Sequence, residues 1–347
     1  MSARHEFDVI VVGGGAAGAA TAWSCARRGL RVLILERFEP GHDRGSSHGT
    51  ERIVRLGHTD RAYVDLAVAA LAGWNELEAL AGEPLLVRSG AVDFGIDSEL
   101  EQIEVTMREC GLSTELLSPM EAMRRFDGFH FDGNVLFHAD GGTVLADRAL
   151  DTLRRLAAAA GAVVRSDERV VAVEQLDSGV AVRTATSEWR AATAVVTAGA
   201  WAPDLLAGIV DLPAFRVTQE QLAYFRPRRE LSWPAFLSRT EIRRYGMLTP
   251  AGLVKVAEHH TGPMVHPDFR PFEVEPVTWA RLCEWVRHAL PGVDPTPVHS
   301  GTCLYASTAD EDFLLDRVGD VVVGVGLSGH GFKFVPEIGR RLADLVD

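Results

Sequence analysis

The most constraining feature of this chain lies near its start. A short apolar run, Phe7 to Val12, leads into Gly13-Gly14-Gly15-Ala16-Ala17-Gly18 and then into alanines and other small residues. An apolar run of this length ending in glycine reads as a strand buried on both faces. Residues Ala16 to Arg28 read as a helix stopped by Gly29, and Arg31 to Glu36 as a second buried strand. Together they make a βαβ unit, which commits the fold to a parallel sheet. The glycine spacing has a physical reading. Gly13 permits a tight turn, Gly15 lets a pyrophosphate approach the backbone, and Gly18 lets helix and strand pack closely. The start of the helix, at Ala16 and Ala17, offers amide donors and partial positive charge to an anion. Glu36, closing the second strand, is placed to accept from a ribose hydroxyl. The motif predicts a bound dinucleotide without choosing between NAD and FAD.

Further along, Ala62 to Ala81 has the spacing of an amphipathic helix and Leu85 to Phe94 alternates like a strand. Capping boxes are expected at Ser98 with Glu101 and at Ser118 with Glu121, the latter with Pro119 at the first helical position. Asp147 to Ala160 reads as a helix, followed by strands at Val163 to Arg165, Val170 to Leu176, Val180 to Thr184 and Ala194 to Thr197. From Pro213 to about Pro297 prolines become frequent, strands alternate and Trp279 to Leu290 reads as a helix, the texture of an inserted second domain. Nucleotide-fold character returns with the strand Val321 to Val325, the loop Gly326 to Gly331 and the helix Pro336 to Val346.

The 347 residues exceed what one core organises, so two domains are expected. A net charge of -13 argues against a nucleic-acid partner, which would need clustered cations. No apolar stretch approaches the length of a membrane span, and the polar Met1 to Glu6 leaves no room for a signal peptide. Four widely spaced cysteines, Cys25, Cys110, Cys283 and Cys303, fit free thiols in a reducing cytoplasm. A monomer that binds no membrane is expected. Two other chemistries are disfavoured. Gly326-Leu327-Ser328-Gly329 resembles a nucleophile elbow, but His330 stands where glycine is needed. His259, His260 and His266 lack a cysteine or carboxylate at zinc-ligand spacing, so no metal is expected.

Three further segments narrow the function. Gly45-Ser46-Ser47-His48-Gly49-Thr50-Glu51-Arg52-Ile53-Val54-Arg55, Thr302-Cys303-Leu304-Tyr305 with Asp310-Glu311-Asp312-Phe313, and Gly326-Leu327-Ser328-Gly329-His330-Gly331-Phe332-Lys333-Phe334 resemble signatures of the monomeric sarcosine oxidase and N-methyltryptophan oxidase family, in that family's order. The strand ending Ala198-Gly199-Ala200-Trp201 is similar to the one preceding its substrate domain.

The resemblance implies an α/β protein, α+β overall: a Rossmann-like FAD-binding domain (1–80, 140–207 and 298–347) with an inserted mixed-sheet substrate domain (81–139 and 208–297). It implies that FAD is held by Gly13, Gly15, Ala16, Ala17 and Gly18, by Glu36 and Arg37, and by Ser47, His48 and Arg52. Gly199 and the late residues Gly329, Gly331, Phe332 and Lys333 complete that set. Cys303 is expected to carry the flavin covalently through the 8α-methyl. Arg55 and Lys333 would hold a substrate carboxylate, a task suited to arginine's planar fork. Lys255 would lie over the flavin and stabilise superoxide as O2 is reduced, a role that electrostatics in a dry site makes effective. Arg52, His259, Tyr245 and Tyr305 complete the catalytic expectation, with His259 preferred over His260. The implied activity is oxidation of a small secondary or primary amino acid to an imine, with O2 reduced to hydrogen peroxide. A flavin dehydrogenase using another acceptor is the rival.

Two departures stand out. Glu51 puts a carboxylate where the family carries a small polar residue, positioned to pair with Arg52. The chain also ends soon after Lys333, without the family's extended tail.

Overall fold

In the computed structural model, residues 6–347 are described; apart from Glu6, the polar stretch expected to exclude a signal peptide lies outside them. The βαβ unit forms as read. The strands Phe7–Val12 and Val32–Leu35 pair in parallel, joined by the helix Ala16–Ala26, every residue of which is buried. Such burial requires small side chains, and alanine dominates the helix. Glu188–Val196 lies parallel to the other edge of Phe7–Val12, and Val321–Val325 continues beyond it. An antiparallel extension, Val170–Gln175 and Val180–Thr184, pairs with the first half of Glu188–Val196. The helices Ala146–Ala159 and Val335–Asp344 pack on Ala16–Ala26 and cover one face of this sheet.

A second eight-stranded sheet is mixed. Its order runs Val293–Ser307, Arg216–Pro227, Val254–Glu258, Arg244–Leu248, Ala235–Arg239, Ala91–Gly95, Val135–His138, Glu115–Leu117. Only Ala235–Arg239 with Ala91–Gly95 is a parallel pair. A small third sheet joins Glu51–Val54 to Gly142–Leu145 and Leu86–Val87. The fold is therefore mixed α/β, as expected, with the functional segments gathered where the sheets meet.

Two local expectations need correction. Leu85 to Phe94 is not one strand. The chain breaks at Gly90, whose φ is +77°, and sends Leu86–Val87 and Ala91–Gly95 into different sheets. Ser98 is not an N-cap either, because the helix Asp97–Glu109 starts earlier, after Ile96. Ile96 N–H is fixed on the Arg239 carbonyl, and Asp97 and Glu99 supply the first-turn negative charge instead. The Ser118–Glu121 box does form, in both directions. Val293–Ser307 is one continuous strand. Its pairing with Arg216–Pro227 puts Cys303 and Tyr305 on the second sheet.

Candidate active site

A cavity of about 750 Å³ runs from Glu36 on the first sheet to Lys255, Cys303 and Lys333. Its nucleotide end is built by backbone geometry. Gly13 has φ +99°, and a Cβ there would sit 2.7 Å from the Thr197 carbonyl oxygen. A Cβ on Gly18 would sit 1.9 Å from the Gly13 carbonyl oxygen, so the helix reaches the loop only with glycine there. Gly15 is the N-cap and brings no side-chain cap, and the helix's first turn holds no acidic residue. The amide of Ala16 donates to Ser47 Oγ at 3.0 Å. The Glu36 carboxylate accepts from the Gly14 and Phe38 amides, at 2.7 and 2.9 Å. That arrangement fixes the carboxylate at the cavity wall with acceptor capacity to spare. Arg37 is tied to Asp268 at 2.6 Å and lies against Phe38 and Trp201. Arg154, which the sequence did not single out, donates to the Gly14 carbonyl at 2.9 Å. Gly199, Gly329, Gly331 and Phe332 also line the cavity. A helix start with no acidic residue in its first turn, a glycine cradle and a fixed acidic residue fit the diphosphate and ribose of FAD.

At the other end, His48 Nε2 lies 3.1 Å from the Thr302 carbonyl while its Nδ1 is buried without a partner. Burial, with Arg52 second, lowers its pKa to about 4. Arg52 donates to the backbone carbonyls of Glu51, Ser46 and His48, and its guanidinium lies over the Phe332 ring. It does not pair with the Glu51 side chain, contrary to expectation. Glu51 turns the other way, placing Oε1 at 3.2 Å from Lys255 Nζ and 3.1 Å from Tyr224 Oη, with Thr50 Oγ1 on its other oxygen. The reason is alternation. Arg52 occupies one face of the strand Glu51–Val54, so Glu51 faces the second sheet, where it meets Lys255. Lys255 is 2 % exposed; burial first and Arg52 second lower its pKa to about 8, with Glu51 opposing.

Cys303 lies on the cavity wall with a buried thiol. Burial pushes its pKa up, while Arg52 and Lys255 pull it down. Beside it, Tyr305 Oη meets His259 Nδ1 at 3.2 Å, and the Tyr245 ring stands edge-on to His259. His259 lines the cavity. His260 turns instead to Glu311, 3.5 Å away, in a backbone conformation of φ +59°. The donor atoms of His259, His260 and Glu311 lie within 4.8 Å of one another; His266 is not part of that group. Ser328 bonds to the Gly326 carbonyl at 2.9 Å rather than to a histidine, so no hydrolytic relay forms there.

Arg55 and Lys333 face the same end of the cavity. Arg55 donates to the Gly57 carbonyl, and Lys333 to the His330 carbonyl at 2.8 Å. Among the described residues neither makes an ion pair. Burial, with Arg239 second, lowers the Arg55 pKa to about 10; burial and then Arg55 push Lys333 well below its ordinary value. A buried guanidinium with no carboxylate partner among the described residues creates a demand for an anion, and an anion placed there would also favour the protonated form of Lys333. Arg239 beside them is already neutralised by Asp93 at 2.8 Å and Glu99 at 3.0 Å. One sequence signal for this site went unused. Lys255 and Lys333 are the only lysines in the chain, against 33 arginines, and both are buried in this cavity.

The fold and this cavity define a flavin-dependent oxidoreductase. The model of FAD-dependent oxidoreductases matches residues 8–345, and the chain belongs to that family. It is 31% identical to the N-methyl-L-tryptophan oxidase of Salmonella newport over 353 residues, covering 98% of this chain and 95% of that one. Among solved structures it resembles NikD, an unusual amino acid oxidase essential for nikkomycin biosynthesis. That match has a TM-score of 0.87 at 30% identity, over 99% of this chain and 94% of that one. L-proline dehydrogenase from P. horikoshii matches with a TM-score of 0.88 at 20% identity, over 99% and 94%, which shows a shared fold alone. No helix among the described residues is long and apolar enough to cross a membrane.

Proposed function

We propose that this protein is an FAD-dependent oxidase of a small secondary or primary amino acid, acting in the cytoplasm as a monomer and returning electrons to O2. The observation that carries this reading is the pair of basic side chains, Arg55 and Lys333, buried without a carboxylate partner among the described residues at the end of a cavity that begins at the glycine loop. A substrate carboxylate meets their demand and anchors the Cα–H bond, which orients the reacting bond without further machinery. Their positive field also disfavours the substrate ammonium, so the amine loses its proton before oxidation. FAD, held by the glycine loop and Glu36, would supply the hydride acceptor and the route for electrons to dioxygen. The substrate loses a hydride and the amine proton to become an imine, which water hydrolyses; O2 takes two electrons and two protons to become hydrogen peroxide. Lys255 lies across the cavity as a buried cation and favours the negative charge that O2 acquires. Tyr245, His259 and Tyr305 form a hydrogen-bonded aromatic wall that shapes the amine pocket and keeps it dry.

We assign a covalent flavin linkage to Cys303, whose buried thiol lies on the cavity wall with Arg52 and Lys255 lowering the cost of its thiolate. Cys303 would supply the sulfur of the thioether and give up its thiol proton, with O2 as the two-electron oxidant. The test of the overall reading is a peroxide-coupled screen of the purified holoenzyme against N-methyl, cyclic and primary amino acids, alongside the matching amines without a carboxylate. Peroxide from the acids and little from the amines is expected. Equal turnover of both series would remove the carboxylate anchor, and reduction without peroxide would favour the dehydrogenase.

A further inference from the structure

Glu51 is absent from the cavity wall although its neighbour Lys255 is on it. The carboxylate lies behind the lysine, fully buried, and three partners hold it: Lys255 Nζ, Tyr224 Oη and Thr50 Oγ1. Lys255 Nζ also donates to the Glu51 carbonyl at 3.1 Å, so one residue grips the amine twice. Tyr224 is in turn the cross-strand partner of Lys255, and its ring stacks on His299 at 3.9 Å. The pair is therefore an oriented dipole with its positive pole toward the cavity.

The surroundings show why such a partner is needed. Facing the amine are Arg52 on the strand that carries Glu51, Cys303 on Val293–Ser307 and Tyr224 on Arg216–Pro227, with neutral Met247 opposite on Arg244–Leu248. Arg52 and burial both oppose the charged form, and Glu51 is the carboxylate that counters them. A neutral residue at position 51 leaves a dry lysine beside an arginine, a setting that lowers its pKa further.

We propose that Glu51 is a positioning residue for the oxygen half-reaction: from behind Lys255 it keeps the amine an ammonium and aims it at the cavity, with Tyr224 fixing the carboxylate. This rests on the reading of Lys255 as the cation that assists O2 reduction. The substrate half-reaction, anchored at Arg55 and Lys333, does not draw on Glu51.

The sequence makes the test direct. With two lysines in the chain, the holoenzyme labelled with 13C and 15N in lysine side chains gives two amine signals, and Lys255→Met assigns them. The Lys255 signal is followed against pH in wild type, Glu51→Gln and Glu51→Thr, two neutral variants of different size, so that either one that folds suffices. In parallel, stopped-flow traces record flavin reduction by substrate and reoxidation by O2 across the same pH range. Wild-type Lys255 is expected to titrate near 8, with reoxidation slowing as pH rises through that value. In the variants the titration is expected to fall by about one pH unit or more, a tenfold or larger change in the protonation equilibrium. The reoxidation profile should move with it while reduction stays within about twofold of wild type. An unmoved Lys255 titration, or a moved titration with an unmoved reoxidation profile, overturns the role of Glu51. Normal reoxidation in Lys255→Met overturns the underlying reading instead.

Discussion

Arg55→Met separates a functional cation from a structural one. In the free protein the guanidinium is buried, has no carboxylate partner among the described residues and donates to the Gly57 carbonyl. Its pKa falls to about 10, a displacement that corresponds to about 3 kcal/mol of unfavourable environment for the charged form. A substrate carboxylate relieves that cost, and removing one partner of a desolvated charge pair typically costs about 2–5 kcal/mol. Methionine keeps much of the volume and loses the charge. The expected result is a loss in kcat/KM of about 30-fold to a few thousand-fold for amino-acid substrates. Because the removed charge is uncompensated in the free enzyme, Tm should be unchanged or higher. Steady-state kinetics and thermal unfolding of the same preparation read both effects. Wild-type kcat/KM, or a Tm lower by several degrees, would refute the reasoning by showing Arg55 to be dispensable or structural.

Three other expectations follow from single observations. Lys255→Met should leave anaerobic flavin reduction by substrate nearly intact and slow reoxidation by O2, read in separate stopped-flow half-reactions; slow reduction with normal reoxidation counts against the assignment. Cys303→Ala should fold and bind FAD but release it on acid precipitation, whereas wild-type protein should stay yellow and exceed the apoprotein mass by one FAD; complete release from wild type defeats the covalent link. Gly18→Ala sets a Cβ 1.9 Å from the Gly13 carbonyl oxygen, so it should abolish retention of FAD on purification, and a fully flavinylated variant would contradict the cradle.

The parts legible in the sequence were those written in local spacing. The glycine loop, its flanking strands and the late Gly326 to Gly331 segment each carry their geometry within a few residues. The Ser118–Glu121 cap was legible for the same reason. What escaped lay in long-range pairing. Glu51 was expected to meet its chain neighbour Arg52, yet strand alternation turned it toward Lys255, 204 residues away. The neutralisation of Arg239 by Asp93 spans 146 residues and leaves no local mark. The break at Gly90 was masked because an apolar run on each side of a glycine has the same alternation as one continuous strand. The confinement of both lysines to one cavity was compositional, and its meaning needed the cavity.

The most direct test of the central claim is a single turnover. Holoenzyme is reduced anaerobically by one equivalent of an N-methyl or cyclic amino acid that the screen identifies, then mixed with O2 while flavin absorbance and peroxide are followed. Full bleaching by substrate, full recovery with O2, and one hydrogen peroxide per flavin are expected. Bleaching that persists in O2 and recovers only with an added electron acceptor would contradict an oxidase and assign the protein to the dehydrogenases.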